Sequence, residues 1–146
     1  ISTARVVRLF GFNPKVAFVS HSTFGQPLTN RTKHIKNAVE ILKKKNVDFE
    51  FDGDMQPDVA LDGEYKSLYP FSKIVGNANI LIMPGQHSAA ISYKMMKTLG
   101  DTKVIGPLLI GLGLPIEIAP LRSSTSEILN LASIAAYSAD VINYKK

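Results

Sequence analysis

The chain contains no cysteine, and that absence removes disulfides, a thiolate nucleophile and thiolate-bound zinc at once. It fits a cytoplasmic protein, which is the expected location. No apolar run approaches the roughly 18 residues of a membrane span. The opening residues scatter Arg5 and Arg8 among apolar neighbours, unlike the charged-then-apolar order of a secretory signal. No membrane partner is expected. Aromatic residues do not interleave with the basic ones and no nucleic-acid motif occurs, so nucleic acid is not an expected partner. The three histidines, His21, His34 and His87, share no metal-ligand spacing; His34 reads as solvated, and no metal is expected in this segment. "GLGLP" lacks the third glycine of a dinucleotide fingerprint and the Lys-Ser/Thr of a phosphate-binding loop. No G-x-S-x-G elbow supports a serine nucleophile.

What is present is one domain's worth of ordinary globular chain: 146 residues, 45% hydrophobic and 20% charged. The first residue is Ile1, and Val6, Val7, Leu9 and Phe10 among Arg5 and Arg8 read as the end of an amphipathic helix. An excised part of a longer polypeptide is therefore expected. The formal charge is +5, with much of the excess in Lys43, Lys44, Lys45, Lys145 and Lys146. Such runs form a solvated helix end and a tail, or a surface that draws in anionic ligands.

Residues 15–20, "KVAFVS", are a β-branched apolar run of the kind buried on both faces of a sheet. Ile35, Ala38, Val39 and Leu42 then recur at helical spacing, and lysines in the last turn suit the negative end of the helix dipole. "VDFEF" alternates and reads as a second strand. Residues 52–73 read as mostly loop with one helical turn. "NANILIMP", residues 77–84, is the clearest buried strand, followed by a helix over 88–99 that Gly100 ends. "VIGPLLIG" and "LPIEIAP" read as further strands. A final helix over 125–140 is apolar around most of its circumference, which predicts burial inside the domain or against a partner. Alternating strand and helix argue for an α/β sandwich with a mainly parallel sheet. No linker divides the chain, so 1–146 reads as one compact unit. Ligands of such sheets sit outside the carboxyl ends of the strands, which nominates the loops 20–25, 84–88 and 119–125.

In the first loop, Ser20, His21, Ser22 and Thr23 suit a phosphate or carbonyl oxygen, or serve as turn and helix-start residues. In the second, Gln86 and His87 precede a helix whose free N–H groups favour an anion, with Ser88 as its N-cap. In the third, Ser124 and Glu127 form the S-x-x-E of a capping box. Arg122, beside Ser123, is left over as a fork for phosphate.

"PKVAFVSHSTFG", "AVEILKKKNVDFEFDGDMQPDVAL", "ANILIMPGQHSAAISYKMM", "LGDTKVIGPLLIGLGLPIEI" and "EILNLASIAAYSAD" together resemble the C-terminal half of the phosphate acetyl/butyryltransferase family. That resemblance implies a three-layer α/β/α sandwich of the isocitrate/isopropylmalate dehydrogenase type, as in phosphotransacetylases. "FDGDMQPDVAL", "YPFSKIVGNANILIMP" and "HSAAISYKM" are similar to the branch found at the C-terminus of bacterial NADP-dependent malic enzymes. For that branch the resemblance implies a parent enzyme that turns malate into pyruvate and CO2 in a separate domain. NADP and a divalent metal, Mg or Mn, would be held there and not in this segment. The segment itself would be non-catalytic, bind acetyl-CoA or a related acyl-CoA as a regulator, and help form a homo-oligomer.

In active members, the stretch matching "PLRSSTSEI" resembles Leu-Ser-Arg-Gly with an aspartate a few residues on. The serine and arginine hold the acyl and phosphate groups, and the aspartate is the base for the CoA thiol. Here Arg122 matches the arginine, Leu121 stands where the serine belongs, and Glu127 stands for the aspartate only with a one-residue shortening. Arg122 and Glu127 are therefore vestigial catalytic candidates. The ligand-binding candidates are Ser20, His21, Ser22, Thr23, Gln86, His87, Ser88, Arg122, Ser123 and Ser124. An active acetyltransferase between CoA and phosphate, and a purely structural dimerisation module, are the alternatives.

Overall fold

The computed structural model describes residues 1–101 and 103–143; Lys145 and Lys146 of the basic tail lie outside them. In chain order the elements are α1 (Ser2–Leu9), β1 (Lys15–Val19), α2 (Asn30–Lys44), β2 (Glu50–Met55), α3 (Pro57–Leu61), α4 (Gly63–Ser67), β3 (Ile80–Ile82), α5 (Gln86–Leu99) and α6 (Thr125–Asn143). They form two compact units, one made of Ile1 with Thr3–Lys94 and the other of Ser2 with Met95–Lys146. Each is described by itself. Among the described residues no helix is long and apolar enough to cross a membrane.

The first unit is α/β with a parallel sheet in the order β2-β1-β3. Val16 stands opposite Phe51 on one side and Ile80 on the other, so β1 is central. This is why its run is apolar without alternation. Val16 joins Ala4 and Ile80 under α1, with Phe18 packed beside them, whereas Ala17 points into a second cluster with Met55, Val59 and Ala60 under α3. Helices thus cover both faces of the sheet. Helix α2 opens on a capping box between Thr29 and Thr32 and closes on Lys43 and Lys44. Its apolar stripe buries Val39 and Leu42.

Strand β2 starts later than "VDFEF" predicts. Asp48 is drawn away by Arg8, whose Nη2 lies 2.9 Å from its carboxylate, and the chain joins the sheet only where Glu50 meets Lys15. The strand then runs on through Gly53 and Asp54, in a segment that composition alone reads as loop. Gly53 (φ +151) is needed there, because a Cβ would lie 2.7 Å from both Cβ and O of Phe18. The rest of the expected loop holds two short helices, α3 with Pro57 in its first turn and α4. Strand β3 is shorter than "NANILIMP" suggests. Ala78 donates its N–H to Ala60 O at 2.8 Å and Asn79 to Lys15 O at 3.0 Å, leaving three residues on the ladder.

In the second unit, "VIGPLLIG" and "LPIEIAP" are not strands. Pro107, Pro115 and Pro120 have no N–H to give a ladder, and Gly106 and Gly111 turn the chain at positive φ. Among the described residues no neighbouring strand pairs with these runs. Helix α6 starts at Thr125 as expected and continues to Asn143. Its predicted burial is met only in part among the described residues: Leu131 is buried, but Ile128, Leu129 and Tyr137 are 50%, 65% and 52% exposed.

Candidate functional site

The carboxyl ends of β1 and β2 bring the first predicted loop against residues that composition did not single out. Ser20, Ser22 and Thr23 are buried and His21 is exposed. Ser22 donates its hydroxyl to Asp54 Oδ2, and its N–H faces Ser20 Oγ at 3.3 Å. The two serine hydroxyls are 3.3 Å apart. Thr23 Oγ1 accepts the N–H of Gln56 at 3.2 Å, and Gln56 Nε2 donates to His21 O at 3.0 Å. Asp52, one strand period before Asp54, accepts the N–H groups of Gly53 at 2.9 Å and Lys73 at 2.8 Å. The loop is therefore a rigid hydrogen-bonded rim, with most of its hydroxyls turned inward. Asp52, Asp54 and Gln56 were missed in the sequence: the ladder passes from Gly53 to Met55 between Phe18 and Val19, an irregularity that period-2 alternation does not reveal.

Gln86, His87 and Ser88 do not precede the second helix; they are the first turn of α5. Ser88 is not its N-cap, since its hydroxyl donates to Gly85 O at 2.9 Å. Gln86 and His87 are exposed at the end of the chain segment following β3, on the same carboxyl edge of the sheet as the Ser20 loop.

In the second unit the stretch around Arg122 resolves into a turn and a cap. Ser123 N–H bonds Pro120 O at 2.9 Å, while Arg122 is exposed and makes no ion pair among the described residues. Ser124 Oγ accepts the Glu127 N–H at 3.3 Å, and Glu127 Oε2 accepts the Ser124 N–H at 2.8 Å and hydroxyl at 3.0 Å. This is the reciprocal capping box. Its other oxygen, Oε1, takes Lys97 Nζ at 2.7 Å, a partner from α5 that sequence spacing did not indicate. Lys97 first, then the Ser124 N–H and hydroxyl, hold the Glu127 carboxyl down at about 2. A base that acidic, with both oxygens engaged, is poorly matched to a thiol that titrates near about 8.5.

The family model described as phosphate acetyl/butaryl transferase matches residues 1–136. The chain belongs to that family. It is 46% identical over 136 residues to an NADP-dependent malic enzyme of Rhizobium meliloti (strain 1021), covering 93% of this chain and 18% of that protein. It is 38% identical over 141 residues to a phosphate acetyltransferase of Clostridium acetobutylicum, covering 95% of this chain and 42% of that one. Among solved structures, a phosphotransacetylase from Streptococcus pyogenes superposes with a TM-score of 0.89 at 34% identity, over 96% of this chain and 43% of its own. The fold is thus that of phosphotransacetylases. The chain spans under a fifth of the malic enzyme and less than half of the acetyltransferase.

Proposed function

We propose that this segment is the C-terminal phosphotransacetylase-like domain of an NADP-dependent malic enzyme. In this reading it has no transferase activity of its own, binds acetyl-CoA or a related acyl-CoA as a regulator, and helps build a homo-oligomer in the cytoplasm. NADP and Mg or Mn belong to the malate-decarboxylating part of the parent. The observation that carries the loss of chemistry is Glu127: capped onto Ser124 and paired with Lys97, both its oxygens are engaged by donors that hold it too acidic to serve as base for a thiol. Leu121, where active relatives are expected to keep a serine, is fully exposed and offers no hydrogen bond.

Binding asks less of geometry than proton transfer does. Exposed Arg122, the N–H groups opening α5 at Gln86, His87 and Ser88, and the Ser20–Thr23 rim with His21 outermost are the groups suited to phosphate and carbonyl oxygens. Ser123 and Ser124 flank Arg122. Oligomerisation is supported by the open apolar side chains of α6. The test is titration of acetyl-CoA into the full protein by calorimetry. Saturable binding without acetyl phosphate formation is the expected result, and no heat at millimolar ligand rejects the regulatory role.

A second reading, an active phosphate acetyltransferase, is favoured by the 38% identity to one such enzyme. Acetyl phosphate formed from acetyl-CoA and phosphate above the buffer rate would establish it.

A further inference from the structure

Between α2 and the end of β2 lies a cavity of about 210 Å³, lined by the apolar Phe24 and Val39 and by the charged Lys36, Lys43, Asp52 and Asp54. It is smaller than the roughly 300–1,000 Å³ of sites for drug-sized ligands, so it suits a small metabolite.

Its chemistry is divided by depth. Asp52 and Asp54 are 8% and 2% exposed, and neither belongs to an ion pair among the described residues. Buried charges are ordinarily paired, because leaving water without a counter-charge is costly. Asp52 accepts two backbone N–H groups and Asp54 the Ser22 hydroxyl. A carboxylate presents about four lone-pair sites, so each can accept more. At the mouth the balance is reversed. Lys36, Glu40 and Lys43 are exposed on α2, Glu40 is taken up by Lys43 at 2.5 Å, and its carboxyl is held below the ordinary range by Lys43 first, with Lys73 and Lys36 adding. Lys36 and Lys43 thus stand beside a single carboxylate, Glu40, on the lining. Phe24 and Val39 add apolar surface to the same lining.

We propose that this cavity binds a small zwitterion, an α-amino acid with an apolar side chain. The ammonium faces Asp52 and Asp54, the carboxylate faces Lys36 and Lys43, and the side chain covers Phe24 and Val39. A simple anion would meet the two buried carboxylates, and a simple amine would leave the lysines unused. A metal ion fits less well, because no described group of three or more His, Cys, Asp or Glu side chains is placed to hold one, whereas an ammonium brings three N–H donors.

The experiment is calorimetric titration of the full chain with L-leucine, L-methionine and L-phenylalanine, with N-acetyl-L-leucine and isopentylamine as probes lacking one charge each. At least one amino acid should bind saturably, and both leucine analogues should bind about tenfold more weakly or worse. Asp54→Asn should weaken amino-acid binding. Because that position is buried and the variant can fail to fold, Lys36→Ala/Lys43→Ala on the exposed face is the decisive partner, with a loss of about tenfold expected. Absence of saturable binding by all three amino acids overturns the proposal. So does equal binding of L-leucine and its N-acetyl derivative, or undiminished binding by the double lysine variant.

Discussion

Ser22 donates its hydroxyl to the carboxylate of Asp54, joining the loop after β1 to the end of β2. Both residues are buried, at 0% and 2% exposure, so water cannot replace the bond if it is lost. Ser22→Ala is expected to lower stability by about 1–3 kcal/mol, the usual cost of stranding a buried polar group. In urea the unfolding midpoint should fall while the slope is unchanged. A midpoint equal to that of the unsubstituted chain would mean that other donors already satisfy Asp54.

Glu127 yields a pH prediction. Its carboxyl is lowered from 4.5 to about 2 by Lys97 and Ser124. A group depressed in the folded state contributes stability that is complete above its unfolded value and is lost as pH falls through the folded one. The start of α6 should therefore keep its cap at neutral pH and loosen only between about pH 4.5 and 2. Carboxyl-carbon NMR should find the Glu127 midpoint well below that of an exposed glutamate. Lys97→Met should move it back upward, and an unmoved midpoint would show that Ser124 alone sets it.

Much of this was visible in the sequence where a local period carried the signal. The stripe of α2, the apolar run of β1 and the Ser124–Glu127 cap were all legible, because neighbours along the chain decide them. What was hidden depends on partners distant in sequence. Asp54 sits in an Asp-Gly-Asp segment that reads as a turn, and only the approach of Phe18 and Ser22 makes it strand and buried acid. Lys97 reads as one more exposed helix charge until α6 brings Glu127 to it. The apolar runs at 104–111 and 114–120 read as strands but are not, because hydrophobicity signals a tendency to burial without supplying a ladder partner.

Gly53 should tolerate no side chain. A Cβ there would lie 2.7 Å from Phe18 Cβ and from its carbonyl oxygen, at a φ of +151, and Phe18 belongs to the central strand, whose backbone cannot swing aside. Gly53→Ala is expected to cost at least about 1–3 kcal/mol through backbone strain alone, with the steric displacement of β1 in addition. Thermal unfolding followed by circular dichroism measures it. A melting temperature within error of the parent would mean that β1 and β2 separate more easily than their register implies.

Helix α6 carries both buried and exposed apolar side chains. Leu131 is 5% exposed and Leu129 is 65% exposed, two residues apart on the same helix. Leu131→Ala removes a packed side chain and should cost about 2–5 kcal/mol. Leu129→Ala should stay within about 0.5 kcal/mol in the dissociated chain. If the open face is the oligomer contact, Leu129→Asp should shift sedimentation towards the monomer while far-UV circular dichroism stays the same, since a charge there must be desolvated at an interface but not in water. Unchanged assembly in that variant would remove α6 from the interface and leave its exposed apolar face to some other cover.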